Sequence, residues 1–409
     1  MICRLMTGFF DSLHERHWNP KGAPAIARLI EALDRGPHQL HLVITRANIS
    51  QGVGYLAERR GRLNLTGLRT PVLFLMVMPW FTGRLSYYLR EAVHAVRLLW
   101  MVWRLRPDVV YLDRSNVLVA SILARLTRTP VVLRLLGVPP DLAAILEDRR
   151  LGSRLLRWAY RAPFARVICS RDGSGGAAWM ARALSPDVAR EVMLNGVEAP
   201  KADGAAPAAL ARIPAGKIVV TLLGRLEKLK ASEFFVEAML ALPADRQERL
   251  HGLIVGDGYL LTELKSRVDR AHAQDRITFT GALPHSQIGH ALARTDIYVS
   301  VSPYCHLTNA TLEAIASGVC VLLRRIAPEG QADPEFDEIV PADAVVSIPR
   351  DATAEEFALA LCDLAADSVR RRAHADRLRQ VAGELLWTWN RRIDHEIAEL
   401  QSVADLAHA

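Results

Sequence analysis

At 409 residues the chain is too long for one ordinary hydrophobic core, and with half of its residues apolar it has material for two. A formal charge of +7 and a pI near 9.3 favour an anionic partner: a phosphate-bearing ligand, an anionic membrane surface or nucleic acid. Aromatic residues make up only 6% and no zinc-finger, RNP or basic-arm pattern occurs, which sets nucleic acid aside, and no low-complexity tract argues for disorder.

The opening residues, MICRLMTGFF, have neither a basic leader nor a small-residue cleavage site, and 3–7 read as a first strand, not a signal peptide. A helix is expected over 22–33, with Gly36 as its stop, and a strand over 40–45. The longest uncharged apolar run, about 70–82, is too short to span a bilayer. Residues 109–112 and 131–136 are continuous β-branched and leucine runs, as buried parallel strands should be, with a helix over 116–126 between them. Strands at 166–170 and 192–194 close the first half. Residues 198–214, rich in Pro and Ala and without periodicity, read as an interdomain linker.

The alternation then restarts. Strands are expected at 217–223, 253–255, 277–280, 297–301 and 319–323. Helices follow from 232, over 259–272, from 285 and over 309–317, and 369–400 is largely helical. Short apolar runs alternating with amphipathic stretches are the signature of βαβ units. The five cysteines, Cys3, Cys169, Cys305, Cys320 and Cys362, are scattered and mostly inside apolar runs, which reads as reduced thiols of a cytosolic protein.

Three constellations carry chemistry. Gly224 ends an apolar strand, and Arg225 and Lys230 follow at the carboxyl end of a sheet, where two cations beside a strand-to-helix turn suit a diphosphate. Gly256-Asp257-Gly258 lies between a strand and a helix. In SVSPYCHLTNATLEAIASG, Thr308 or Asn309 can cap the following helix, whose first amides form an anion site, and Glu313 stands one turn in, able to accept hydrogen bonds from a ribose diol.

In this order the segments GRLEKLKA, IVGDGYLLTEL, ITFTGALPHSQI, ARTDIYVSVSPY and NATLEAIASG resemble the family-four ("group 1") retaining glycosyltransferases of the GT-B fold. RPDVVYL, VICS, LNGVE and the Trp389-containing ELLWTWNRR match more loosely. The resemblance implies two Rossmann-like α/β domains with parallel sheets facing a central cleft. The acceptor domain would be residues 1–198 and the linker 199–214. The donor domain would be 215–385, and a helix in 386–409 would cross back to the first domain.

The resemblance also assigns roles. Arg225 and Lys230 would hold the donor diphosphate and Glu313 the ribose, these three being the catalytic set. Gly224, Gly256, Gly258 and the segment Thr308, Asn309, Ala310, Thr311 would complete the donor site. His14, His17 and Gly22, after the first strand, would stand on the acceptor side. The sequence departs from the family at Cys305, where the first Glu of E-x7-E is expected, at Leu136 before Gly137, and at Ala231 after the lysine.

The implied activity is transfer of a sugar from a nucleoside diphosphate sugar to a hydroxyl of a glycan or lipid-linked acceptor, in bacterial surface polysaccharide or glycolipid synthesis. No cofactor is implied. There is no clear DxD, and the leaving diphosphate would be neutralised by side-chain cations and a helix start instead of a metal. Two alternatives stay open: a nucleotide-sugar epimerase on the same scaffold, or a non-catalytic nucleotide-sugar-binding or partner protein.

Arg90, Arg97 and Arg104 recur every seven residues, interleaved with Trp100 and Trp103, and Arg150, Arg154, Arg157 and Arg161 mark a helix that carries Trp158. This reads equally as a surface facing anionic lipid, on a cytoplasmic protein peripheral to the membrane, or as ordinary helices with a solvated arginine stripe.

Overall fold

The computed structural model describes residues 1–4, 17–18, 20, 23–46, 61–76, 84–328, 331, 333 and 335–408. The chain forms two compact units. One comprises Met1–Ser170, Gly176–Gly196 and Trp389–Ala409; the other comprises Arg171–Gly175 and Val197–Thr388.

The first unit is built on β1 (Ile2–Arg4), β2 (Leu42–Arg46), β3 (Gly61–Leu63), β4 (Val72–Met76), β5 (Val110–Asp113), β6 (Val131–Leu135), β7 (Arg166–Ser170) and β8 (Ala189–Met193). Their order in the sheet is β3-β4-β2-β1-β5-β6-β7-β8. Every pair is parallel, as expected of such sheets, except the edge pair of β3 with β4, which is antiparallel. The link between these two strands is too short for the crossover that a parallel pair requires.

Helices cover both faces of this sheet, which is why its central strands read as unbroken apolar runs. On one face lie α1 (Pro24–Arg35) and the C-terminal helix Trp389–His408. Leu29, Leu33, Ile393 and Val403 pack there on Tyr111, Val132 and Ile168. On the other lie α2 (Arg84–Leu105), α3 (Val117–Leu126) and α4 (Leu151–Tyr160), with Leu98, Val102, Leu123 and Tyr160 against Leu133 and Leu135. Gly196 allows a close approach by the C-terminal helix: a Cβ there would stand 2.5 Å from Trp389 Cα.

The second unit holds β9 (Ile218–Leu223), β10 (Leu250–Val255), β11 (Ile277–Gly281), β12 (Ile297–Ser300), β13 (Cys320–Arg324) and β14 (Val346–Ile348), all parallel, in the order β11-β10-β9-β12-β13-β14. Its helices are α5 (Ser232–Leu240), α6 (Leu261–Arg270), α7 (His285–Ala293), α8 (Asn309–Ala316), α9 (Ala354–Ala366) and α10 (Ser368–Leu385). Residues 199–214, expected as a linker, pack as part of this unit. Leu210 and Ile213 are buried, and Gly289 leaves room for the Lys201 carbonyl, which a Cβ would meet at 2.1 Å.

Strand order reverses between β1 and β5 in one sheet and between β9 and β12 in the other. Ligands of doubly wound sheets bind in the crevice beyond the strand ends at such a reversal. No helix among the described residues is long and apolar enough to cross a membrane.

Candidate functional site

The loops that leave β9 and β12 meet at the reversal of the second sheet, and they carry most of the expected donor residues. Gly224, with φ +150°, turns the chain off β9, and a Cβ at that position would face open space. Gly256 and Gly258 have a different reason for being glycine. A Cβ at Gly256 would lie 1.8 Å from the Gly224 carbonyl oxygen, and one at Gly258 would lie 2.4 Å from that of Leu226. The two loops are laced together: the Leu226 amide donates to the Asp257 carbonyl at 2.9 Å and the Gly224 amide to Val255 at 2.9 Å. These two glycines therefore let one loop seat on its neighbour.

Arg225 is exposed, with Nη1 3.0 Å from Glu227 Oε1. Lys230 closes a short turn, and Ala231 after it has φ +50°, a left-handed conformation that costs an L residue roughly 1 kcal/mol and that glycine adopts freely. That conformation is what the family's usual glycine would serve. Lys230 is half-buried. Its Nζ lies 3.6 Å from Cys305 Sγ and 5.6 Å from the centre of the Tyr304 ring. No carboxylate among the described residues pairs with it. An ammonium held against a cysteine side chain and a ring is poised for an anion from solution.

On the other side of the reversal, the α8 start is capped by Thr308, whose Oγ1 accepts from the Thr311 amide at 3.3 Å. The Leu312 amide is bound to the Thr308 carbonyl. The cradle read over Thr308, Asn309, Ala310 and Thr311 thus narrows, because the Thr311 amide is spent on the cap. Asn309 and Ala310 occupy the first turn, where helix amides favour negative charge. Glu313, in the next turn, has its Oε1 3.0 Å from His285 Nε2.

Several residues here carried no sequence assignment. Asp172, in the short segment that the chain lends to the second unit between β7 and Gly176, accepts the Leu307 amide on its carbonyl at 3.0 Å. Burial pushes the Asp172 carboxyl above its ordinary value, against hydrogen bonds from Ser174 and the charge of Lys230. Gly173, at φ +87°, fits tightly on this strip, its Cβ position 3.1 Å from the His306 nitrogen. His306 is buried, its Nδ1 2.8 Å from Ser300 Oγ and its Nε2 2.8 Å from the Arg324 carbonyl oxygen. Burial lowers its pKa to about 4, with Asp333 opposing, so the ring is neutral at pH 7: Nε2–H donates to Arg324 and Nδ1 accepts from Ser300. It fixes the shape of the loop after β12. The signal available for Asp172 was the glycine-rich SRDGSGG after a strand; nothing in the sequence distinguishes His306 from any other loop histidine.

In the first unit, His17 is exposed and bridges to Thr66, while His14 and Gly22 lie outside the described residues. At the reversal of that sheet, Asn116 donates to Asp113 Oδ1 at 3.0 Å and accepts from Thr45 Oγ1 at 2.7 Å. Leu136 follows β6 half-exposed, before Gly137 at φ +99°. No group of three or more His, Cys, Asp or Glu side chains placed to hold a metal ion occurs among the described residues.

Two doubly wound units, one with a half-buried lysine at its strand reversal beside a helix start, define a nucleotide-binding α/β protein. Sequence and structural likeness specify it further. The profile of "Glycosyl transferases group 1" matches residues 217–367. A 2-deoxystreptamine N-acetyl-D-glucosaminyltransferase of Streptomyces fradiae is 30% identical over 319 residues, 71% of each chain. Among solved structures, sucrose-phosphate synthase from Thermosynechococcus elongatus superposes with a TM-score of 0.73 at 17% identity, covering 99% of both chains. HepE of Anabaena, in complex with UDP and glucose, gives 0.67 at 16%, covering 98% of both. The fold is GT-B, and the chain belongs to the group 1 glycosyltransferases. It is an enzyme that transfers a sugar from a nucleotide sugar.

Proposed function

We propose that the donor is a uridine diphosphate hexose, transferred with retention at the anomeric carbon to a hydroxyl of a saccharide or lipid-linked acceptor. Lys230 and Arg225 bind the diphosphate, with the first-turn amides at Asn309 and Ala310. The bare backbone at Gly224 lets it approach closely, and Glu313 accepts from the ribose hydroxyls. On the acceptor side the described candidate is His17. The observation that carries the reading is the half-buried Lys230 ammonium at the strand reversal, which no carboxylate among the described residues pairs with. UDP at a hundredfold over its dissociation constant should stabilise the protein by about 2.7 kcal/mol in thermal unfolding. Stabilisation by GDP or ADP alone would reassign the base, and by no nucleotide would refute the donor site.

The leaving diphosphate is neutralised by Lys230, Arg225 and the α8 start, without a divalent ion. Turnover is therefore expected to survive EDTA. Activity abolished by the chelator and restored by manganese would overturn this.

The enzyme works at an anionic membrane surface, which it meets through α2, α3 and α4. Leu85, Leu89, Val93, Val96, Trp100 and Trp103 form an exposed stripe along α2 at helical spacing, and Trp103 is 73% exposed. Ten of the seventeen exposed large apolar side chains among the described residues lie on these three helices, and so do all three exposed tryptophans. Such a patch on a folded protein marks an interaction surface. Arg97, Arg104 and Arg154 flank it, and the only acid in the three helices, Glu91, is buried. Arg90, read from sequence as part of the stripe, is buried beside Ser86 and Tyr87 and takes no part. Cosedimentation with phosphatidylglycerol vesicles but not phosphatidylcholine vesicles is expected, weakening with salt and lost in the Trp100→Ala/Trp103→Ala double variant. Equal binding to both lipids, or none, counts against it.

A second reading of the acceptor is favoured by the Streptomyces fradiae relative, which is named for 2-deoxystreptamine. Transfer to 2-deoxystreptamine, unaffected by vesicles, would support that reading.

A further inference from the structure

We infer that His285 positions Glu313 and so sets how tightly the donor ribose is held; this rests on Glu313 being the ribose carboxylate. The two residues come from different elements of the second sheet's carboxyl edge. Pro284, in the short link after β11, is the cap position before α7, so the first side chain of that helix is His285. Glu313 comes from the second turn of α8, after β12. Their approach is 3.0 Å from Nε2 to Oε1, with the imidazole 68% exposed and the carboxylate only 15% exposed. The ring covers a recessed acid.

In the proposed arrangement the carboxylate oxygen accepts and His285 Nε2–H donates. That bond occupies Oε1 and leaves Oε2 to accept from a ribose hydroxyl. A glutamate side chain otherwise samples several rotamers, and a ligand that fixes one of them loses affinity for doing so. The His285 bond fixes it beforehand. His285 touches no reacting atom, and the expectation is an effect on donor affinity with little effect on the chemical step.

The experiment compares UDP with 2′,3′-dideoxyuridine diphosphate, which lacks the hydroxyls that Glu313 would bind. In calorimetry, His285→Ala is expected to weaken UDP about 3- to 10-fold, the cost of immobilising one side chain, and to leave the dideoxy nucleotide unchanged. In turnover, the donor KM should rise by a similar factor with kcat retained. His285→Gln, whose amide can donate from about the Nε2 position, should restore most of the loss. A merely structural histidine would weaken both nucleotides alike and would not be rescued. Glu313→Gln serves as the reference. If it discriminates the two nucleotides and His285→Ala does not, the positioning role is wrong while the ribose role stands. If Glu313→Gln itself treats both nucleotides equally, the ribose assignment falls and the role of His285 with it.

Discussion

Glu396→Ala is expected to destabilise the first unit by about 3–5 kcal/mol, the cost of leaving buried charge uncompensated. Glu396 projects from the C-terminal helix into the sheet. It accepts from Tyr111 Oη at 2.6 Å and from Arg392 Nη1 at 2.6 Å, and Arg134 Nε of β6 lies 3.6 Å away. All four side chains are buried. Both guanidiniums stay charged at any accessible pH, so the cluster already holds two positive charges against one negative. Removing the carboxylate leaves both without a counter-charge. Burial, the largest influence on Glu396, pushes its pKa up, but Arg134, Arg392 and Tyr111 outweigh it and hold the carboxyl below its ordinary value.

The sign of the pH dependence follows from that depression. The carboxylate's contribution is complete above the unfolded-state pKa, roughly 4.3, and is lost as pH falls through the lower folded value. The gap in urea midpoint between wild type and Glu396→Ala should therefore be widest near neutrality and narrow in acid. The pair of Arg166, at the start of β7, with Glu399 of the same C-terminal helix is partly exposed and should contribute much less. A Glu396→Ala variant within about 1 kcal/mol of wild type at pH 7 would show that the helix is held by its apolar side chains alone.

That cluster also marks where reading the sequence stops. In VVLRL the arginine interrupts a buried strand without any local sign of its partner, Glu396, which lies more than 250 residues away on the C-terminal helix. Apart from β14, which was not expected, the strands of the second sheet were legible because each is a short apolar run bounded by turn residues, and burial on both faces leaves no alternation to misread. β3 was not, since three residues without a hydrophobic pattern carry no period. The 198–214 segment did contain a signal, Leu210 and Ile213 among the alanines, but its prolines outweighed it. The motifs singled out Arg225, Lys230 and Thr308, which the fold brings to the strand reversal of the second sheet. They did not reveal that Gly256 and Gly258 serve loop packing, nor that Asp172 and His285 complete the surroundings. Those residues meet the site only through tertiary contacts, which one-dimensional spacing does not encode.

Lys230→Ala should lower kcat by about 10²–10³, or roughly 2.7–4 kcal/mol, the loss seen when a preorganised donor to developing charge is removed. As the sugar leaves, negative charge grows on the diphosphate, and an interaction stronger there than in the ground state acts on rate more than on KM. Lys230 is suited to this because its ammonium is already held in place. The Tyr304 ring and the Cys305 thiol sit around it, and Ser302 Oγ, 3.7 Å from that thiol, donates to the Leu229 carbonyl at 3.0 Å. Arg225, exposed and turned to Glu227, must swing to reach a ligand, so Arg225→Ala should cost less. Lys230→Met keeps the hydrocarbon stem against Tyr304 and removes only the charge; it should reproduce the kcat loss of the alanine variant with an unchanged melting temperature. In calorimetry both variants should bind UDP more weakly, by about 1.5–3 kcal/mol, the scale of a hydrogen bond to a charged group. A kcat within threefold of wild type in Lys230→Met would mean that the diphosphate lies elsewhere on the sheet edge, with the α8 start its main support.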